Sequence, residues 1–242
     1  MKKATLAFFI FLGIEIIVGG VVLMFDKSNV ELSTALSSLS VLLVFYLMKL
    51  FDFSCNYIKT RPYATLGLCC LLALSTLFPS MKLIECGPEM PADQLEMLGK
   101  LMQSFVGFLF VGILAPVVEE LVFRGVILKH LLLTRKFANN HWLAIAITAA
   151  LFGLAHGNLA QMPHAFLLGL LLGWLYYRTR SILPGIALHL TNNVTAVVLY
   201  QIYPDPDAKL IDYFGSDAMV YAVIAASLII MVGTIYALTR RM

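Results

Sequence analysis

The sequence predicts an all-α, polytopic membrane helical bundle of about eight transmembrane helices with both termini cytoplasmic, on three observations. Hydrophobic residues fill 60% of the 242 positions and charged residues only 13%, a balance well outside soluble composition. Apolar runs near the ~20 residues that a helix needs to cross a bilayer recur along the chain. The charges between those runs sort by sign and side. A net charge of +3 is too small to argue for nucleic acid, so the partner that composition demands is the lipid bilayer.

The spans fall at roughly 4–25, 30–50, 62–81, 101–133, 141–157, 162–178, 182–203 and 217–239. The first follows Met1-Lys2-Lys3 like a signal peptide, but it runs on to Phe25 with no small-x-small cleavage site before Asp26, and is read as a retained span. With a cytoplasmic N-terminus, the inner segments hold Lys2, Lys3, Lys49, Lys59, Arg61, Lys129, Arg135, Lys136, Arg178, Arg180, Arg240 and Arg241. The outer segments hold only Lys27, Lys82, Lys100 and Lys209, and they collect acids from Asp26 and Glu31 to Asp212 and Asp217. Short connections and the absence of a long linker make residues 1–242 a single integral-membrane domain in this reading.

Cys69 and Cys70 fall mid-span, where thiols act as small apolar groups, and Cys55 and Cys86 form no framework with them. Before the fourth span, Asp93 as N-cap with Glu96 three residues later reads as a capping box. A helix from there to Leu133 would be roughly 60 Å long, about twice the hydrocarbon thickness, so it must lie partly on the surface, tilt or kink. Pro116 is the expected kink, freeing carbonyls beside Glu119 and Glu120. Trp142, Trp174, Tyr176, Tyr177, Tyr200 and Tyr203 read as interfacial anchors, and Gly169 with Gly173 as a close helix contact. The Pro204-Asp205-Pro206-Asp207 loop reads as a solvated acidic turn, its spacing matching no calcium loop.

The chemistry-bearing residues lie inside three of the spans. Glu119, Glu120 and Arg124 stand in the fourth, at about 2.5–3.5 kcal/mol each in hydrocarbon, which makes them functional candidates by default. Phe152 and His156 stand four apart in the fifth span, and His189 and Asn193 four apart in the seventh, so each pair shares a helix face. Counted from the cytoplasmic boundary at 1.5 Å per residue, these groups fall within roughly 10–20 Å and can meet in one layer. A lone intramembrane His or Asn is more often an interhelical hydrogen bond, but three spans contributing together are hard to explain by packing.

Glu120 and Arg124, at i and i+4, are expected to pair as structural support, leaving Glu119 on another face toward the histidines. The set suits activation of water: a coupled carboxylate pair supplies a general base, His156 holds the same water, and His189 with Asn193 stabilises an oxyanion. The alternative is zinc on Glu119, His156 and His189 with an open position for water. The i, i+4 double-His pattern of soluble zinc proteases is absent, which favours the metal-free reading with no cofactor.

Glu119-Glu120-x-x-x-Arg124-Gly125, then Phe152-x-x-x-His156, then His189-x-x-x-Asn193, in that order on separate spans, resembles the CPBP family of intramembrane proteases. That family includes type II CAAX prenyl endopeptidases and bacterial proteins of bacteriocin processing and self-immunity. The resemblance covers about 101–203. It implies an endopeptidase of eight helices, with Glu119 as base, His156 as its partner, His189 and Asn193 as oxyanion donors, and Glu120 and Arg124 in support. The expected substrate is an unprenylated peptide or membrane protein at a prokaryotic cytoplasmic membrane; oligomeric state is not legible. A proton-coupled transporter, or a non-catalytic immunity or scaffold protein, would also keep some intramembrane polar groups.

Overall fold

A computed structural model describes residues 1–25, 29–51, 63–137 and 139–242. Asp26, Lys27, Cys55, Lys59 and Arg61, which entered the charge and cysteine readings, lie outside the described residues. The helices in chain order are α1 Lys2–Phe25, α2 Val30–Leu47, α3 Ala64–Glu85, α4 Ala92–Gln103, α5 Phe105–Leu132, α6 His141–Ala155, α7 Met162–Thr179, α8 Leu183–Ile202, α9 Leu210–Phe214 and α10 Asp217–Arg241. No strand occurs among the described residues, and each expected span is met by one helix.

Five helices, α1, α2, α3, α5 and α10, are both long and apolar enough to cross a membrane. Among the rest, α6 is apolar but only 15 residues long, about 22 Å at the α-helical rise. α7 and α8 reach 18 and 20 residues but carry His164, His189, Asn192 and Asn193, which lower their hydropathy. α8 carries one of these polar groups inside the bundle, His189 being 2% exposed, as α5 does with Glu120 and Arg124.

The junction before α5 differs from expectation in two respects. α4 starts with Pro91 at the N-cap position and no side-chain cap, so Asp93 sits in the first turn, where the helix dipole favours a carboxylate. The long rod breaks at Ser104, and the helix that follows runs uninterrupted through Pro116. Ser104 is extended (φ −87°, ψ 149°), and its Oγ accepts from the Gly107 N–H at 2.8 Å while donating to the Leu101 carbonyl at 3.3 Å. Only glycine fits at 107, because a Cβ there would collide with the Leu101 carbonyl. The break lets α4, with its exposed Glu96–Lys100 pair, run separately from α5.

α5 is the axis of the bundle. Val122, Phe123, Val126, Ile127 and Leu128 are all but inaccessible, packed against Phe11 of α1, Phe45 of α2 and Ile145 and Phe152 of α6. Its turns widen to hydrogen bonds five residues apart over Phe108–Leu114, tighten over Ala115–Glu119, and widen again over Glu120–Leu128. Wide turns of this kind are rare and concentrate at functional positions. Pro116 sits at the start of the tight segment, absorbed by the changes of pitch on either side.

On the far side of α6, Gly169 and Gly173 let α7 approach closely, as expected: a Cβ at either would press on Ala149 or Ile145. Trp174 and Tyr176, expected as interfacial anchors, are instead buried, at 9% and 4% exposure. Trp142 and Tyr203 remain exposed. At the C-terminal end of α3, Glu85 pairs with Lys82 at 2.8 Å and accepts the Leu210 N–H, fixing α9. Asp205 accepts the Asp207 N–H at 2.9 Å, the short-range bond of an acidic turn.

Candidate active site

The site is assembled on α5. Glu120 and Arg124 lie one turn apart and are both fully buried; Arg124 Nη1 donates to Glu120 Oε1 at 2.7 Å. The guanidinium is held from two further sides, since Nη2 donates to the Gly169 carbonyl at 3.1 Å and the Phe152 ring lies 4.7 Å below its centre. A buried charge pair is stabilised as its remaining hydrogen-bonding capacity is met, and here α6 and α7 meet part of it, with Glu120 Oε2 and Arg124 Nε left without a hydrogen-bond partner. The expected pairing is present, and its anchorage ties three helices together.

Glu120 is also the hinge between that pair and α8. His189 Nδ1 stands 3.3 Å from Glu120 Oε1, while its Nε2 stands 3.7 Å from Glu119 Oε2. One imidazole therefore bridges the adjacent carboxylates. The other Glu120 oxygen lies over Gly185, where a Cβ would come within 2.5 Å of it, so this crossing of α5 and α8 requires glycine. Glu119 differs sharply from Glu120 in access: its side chain is 23% exposed where Glu120 is at 0%.

His156 closes α6. Its Nδ1 lies 2.9 Å from the Phe152 carbonyl, which can only accept, so Nδ1 carries the proton and the neutral ring leaves Nε2 as a free base. The Phe152 ring meets His156 edge-on at 5.0 Å and His189 at 5.6 Å, separating the two imidazoles while orienting both. Asn193, one turn beyond His189, donates from Nδ2 to the Val111 carbonyl at 3.0 Å and accepts from Asn192 at 3.2 Å.

Glu119, His156 and Phe152 line one cavity of about 130 Å3 between α1, α2, α5 and α6. The same cavity contains Glu15 of α1 and the hydroxyl residues Thr34 and Ser38 of α2, none of which the sequence reading placed at the site. Glu15 carried a usable signal, being the one carboxylate in the first apolar run. His164 of α7 was also passed over. It stands near enough to His156 and His189 to interact with both electrostatically, and it lines a separate, larger apolar cavity of about 560 Å3 between α3, α7 and α10. Among the described residues, no group of three or more His, Cys, Asp or Glu side chains is arranged to hold a metal ion.

Apolar helices enclosing two carboxylates, a guanidinium and two imidazoles beside a small cavity define a membrane protein with an acid–base site in its interior. Over residues 101–195 the sequence matches the family model described as type II CAAX prenyl endopeptidase Rce1-like. That stretch is similar to the type II CAAX prenyl endopeptidases, the membrane-protease group that its motifs resemble. The match spans Glu119 through Asn193 and excludes Glu15. No curated protein and no solved structure matches the chain.

Proposed function

We propose that the protein hydrolyses a peptide bond of a membrane-associated peptide or membrane-protein substrate with a water activated between Glu119 and His156. The observation that carries this is the shared cavity, which brings the accessible carboxylate and the free Nε2 of His156 to one small volume. A cavity of about 130 Å3 holds a few waters at about 30 Å3 each. Glu119 takes a proton from the water as its oxygen attacks the carbonyl carbon, and His156 Nε2 accepts a hydrogen bond from the same water. When the carbon–nitrogen bond breaks, the proton passes from Glu119 to the departing amine.

His189 is the proposed oxyanion donor. Glu120 holds it through Nδ1, and in its doubly protonated form Nε2–H points into the space beside Glu119, where the tetrahedral oxyanion develops. Glu120 and Arg124 orient His189 without touching substrate. Asn193 has one amide hydrogen tied to Val111, so its first task in this scheme is to hold the backbone of α5, with the second hydrogen available to the oxyanion.

The proposed scheme uses no metal, its base, hydrogen-bond acceptor and oxyanion donor all being side chains. The test is cleavage of a fluorogenic peptide library by protein purified in detergent, comparing wild type with Glu119→Ala, His156→Ala and His189→Ala. Cleavage untouched by all three substitutions overturns the assignment. Activity abolished by chelator and restored by zinc overturns the metal-free scheme while keeping the residues.

A further inference from the structure

Glu15 is a carboxylate at mid-helix in α1, the most apolar of the candidate spans with mean hydropathy 2.6. An unpaired intramembrane carboxylate costs about 2.5–3.5 kcal/mol on insertion scales and calls for a partner. No cation pairs with it among the described residues. Its neighbours are the Glu119 carboxylate, which repels it, and the Ser37 hydroxyl, which faces it without reaching hydrogen-bond geometry. The turns of α1 widen at this residue, over Glu15–Gly19, the same local feature that marks α5 at Glu120.

The surroundings describe the missing partner. The cavity is walled by hydrocarbon from Phe11, Val118, Phe123 and Ala155, and its polar groups are Thr34, Ser38, His156 and the carboxylates of Glu15 and Glu119. An apolar sleeve with hydroxyls and an uncompensated carboxylate fits an alkyl stem ending in a cation, as the aliphatic stems of lysine and arginine do. Because Glu119 and His156 line the same cavity, its occupant is attached to a residue flanking the bond being cut.

We propose that Glu15 is a specificity-determining residue that receives the ammonium or guanidinium of a basic substrate side chain next to the scissile bond. The proposal rests on the proteolytic reading of the site. A lysine or arginine there neutralises the excess negative charge of the cavity, which a neutral side chain leaves in place. A buried charged group deprived of its partner loses much more than a rim charge does, so discrimination in favour of the basic residue is large.

The test uses full-length protein in detergent and two peptides that differ only in lysine against norleucine beside the cleaved bond. In wild type, kcat/KM favours lysine by about tenfold or more, and in Glu15→Gln that ratio falls to near one. The ratio is internal to each preparation, so a loss of folded protein does not imitate it. A second arm needs no turnover: n-butylammonium raises the thermal unfolding temperature of wild type more than that of Glu15→Gln. Equal ratios in the two proteins overturn the proposal. If wild type cleaves neither peptide, the proteolytic reading falls and the n-butylammonium arm alone decides whether Glu15 binds a cation; identical shifts in both proteins overturn that as well.

Discussion

The Asn193 side-chain amide donates to the Val111 carbonyl at 3.0 Å, and Val111 lies five residues before Pro116. In the wide turns over Phe108–Leu114, each carbonyl looks for an N–H five residues on, as the Ala115 N–H does for Phe110. Proline has none to give. Asn193 thus replaces from α8 the hydrogen bond that Pro116 removes from α5.

This predicts a rescue. Asn193→Ala leaves the Val111 carbonyl without its partner, costing about 1–3 kcal/mol and lowering the thermal unfolding temperature. Adding Pro116→Ala supplies a backbone N–H and recovers part of the loss. Purely additive effects of the two substitutions, measured by unfolding in detergent, would count against the pairing.

Arg124 and Glu120 are both inaccessible, so breaking the pair from one side strands a buried charge. Arg124→Met is expected to destabilise by about 3–5 kcal/mol and to reduce the yield of folded protein. Arg124→Met with Glu120→Gln removes both charges and should unfold at a higher temperature than the single variant. A double variant no more stable than the single one contradicts this account.

Glu119, the accessible carboxylate, separates chemistry from stability. Glu119→Gln should retain the unfolding temperature of wild type within a degree or two while peptide cleavage falls by about 10²–10⁴-fold. Steady-state kinetics beside a melting curve on one preparation reads both quantities.

Gly185 guards the crossing of α5 and α8. Gly185→Ala places a methyl 2.5 Å from Glu120 Oε2, too close for contact, which pushes Glu120 off His189. The loss should appear mainly in kcat, since His189 loses its orientation while the cavity of Glu119 and His156 is left standing. Unchanged kcat would show that Glu120 does not orient His189.

Much of this was legible in residue patterns. The eight apolar runs have matching helices because a helix in a bilayer must meet its own backbone hydrogen bonds, which makes length and apolarity nearly sufficient. The pairing of Glu120 with Arg124 followed from i, i+4 spacing alone. The break at Ser104 was missed because serine is a weak local signal and the proline at 116 a strong one; tertiary packing settled where the turn falls. Trp174 and Tyr176 misled for a similar reason, because nearness to a span end does not say which side of the helix faces lipid.

Spacing by itself determined the all-α membrane architecture and drew Glu119, Glu120, Arg124, Phe152, His156, His189 and Asn193 together, since both follow from periodicity and the cost of charge in hydrocarbon. Only the tertiary structure decided that His189 bridges both glutamates, that Asn193 serves Val111, and that Glu15 from the first helix enters the cavity of Glu119 and His156. Those relationships join residues up to 141 positions apart, from Glu15 to His156. They depend on how helices cross and rotate against one another, and a helix's own period carries no information about its neighbour's angle.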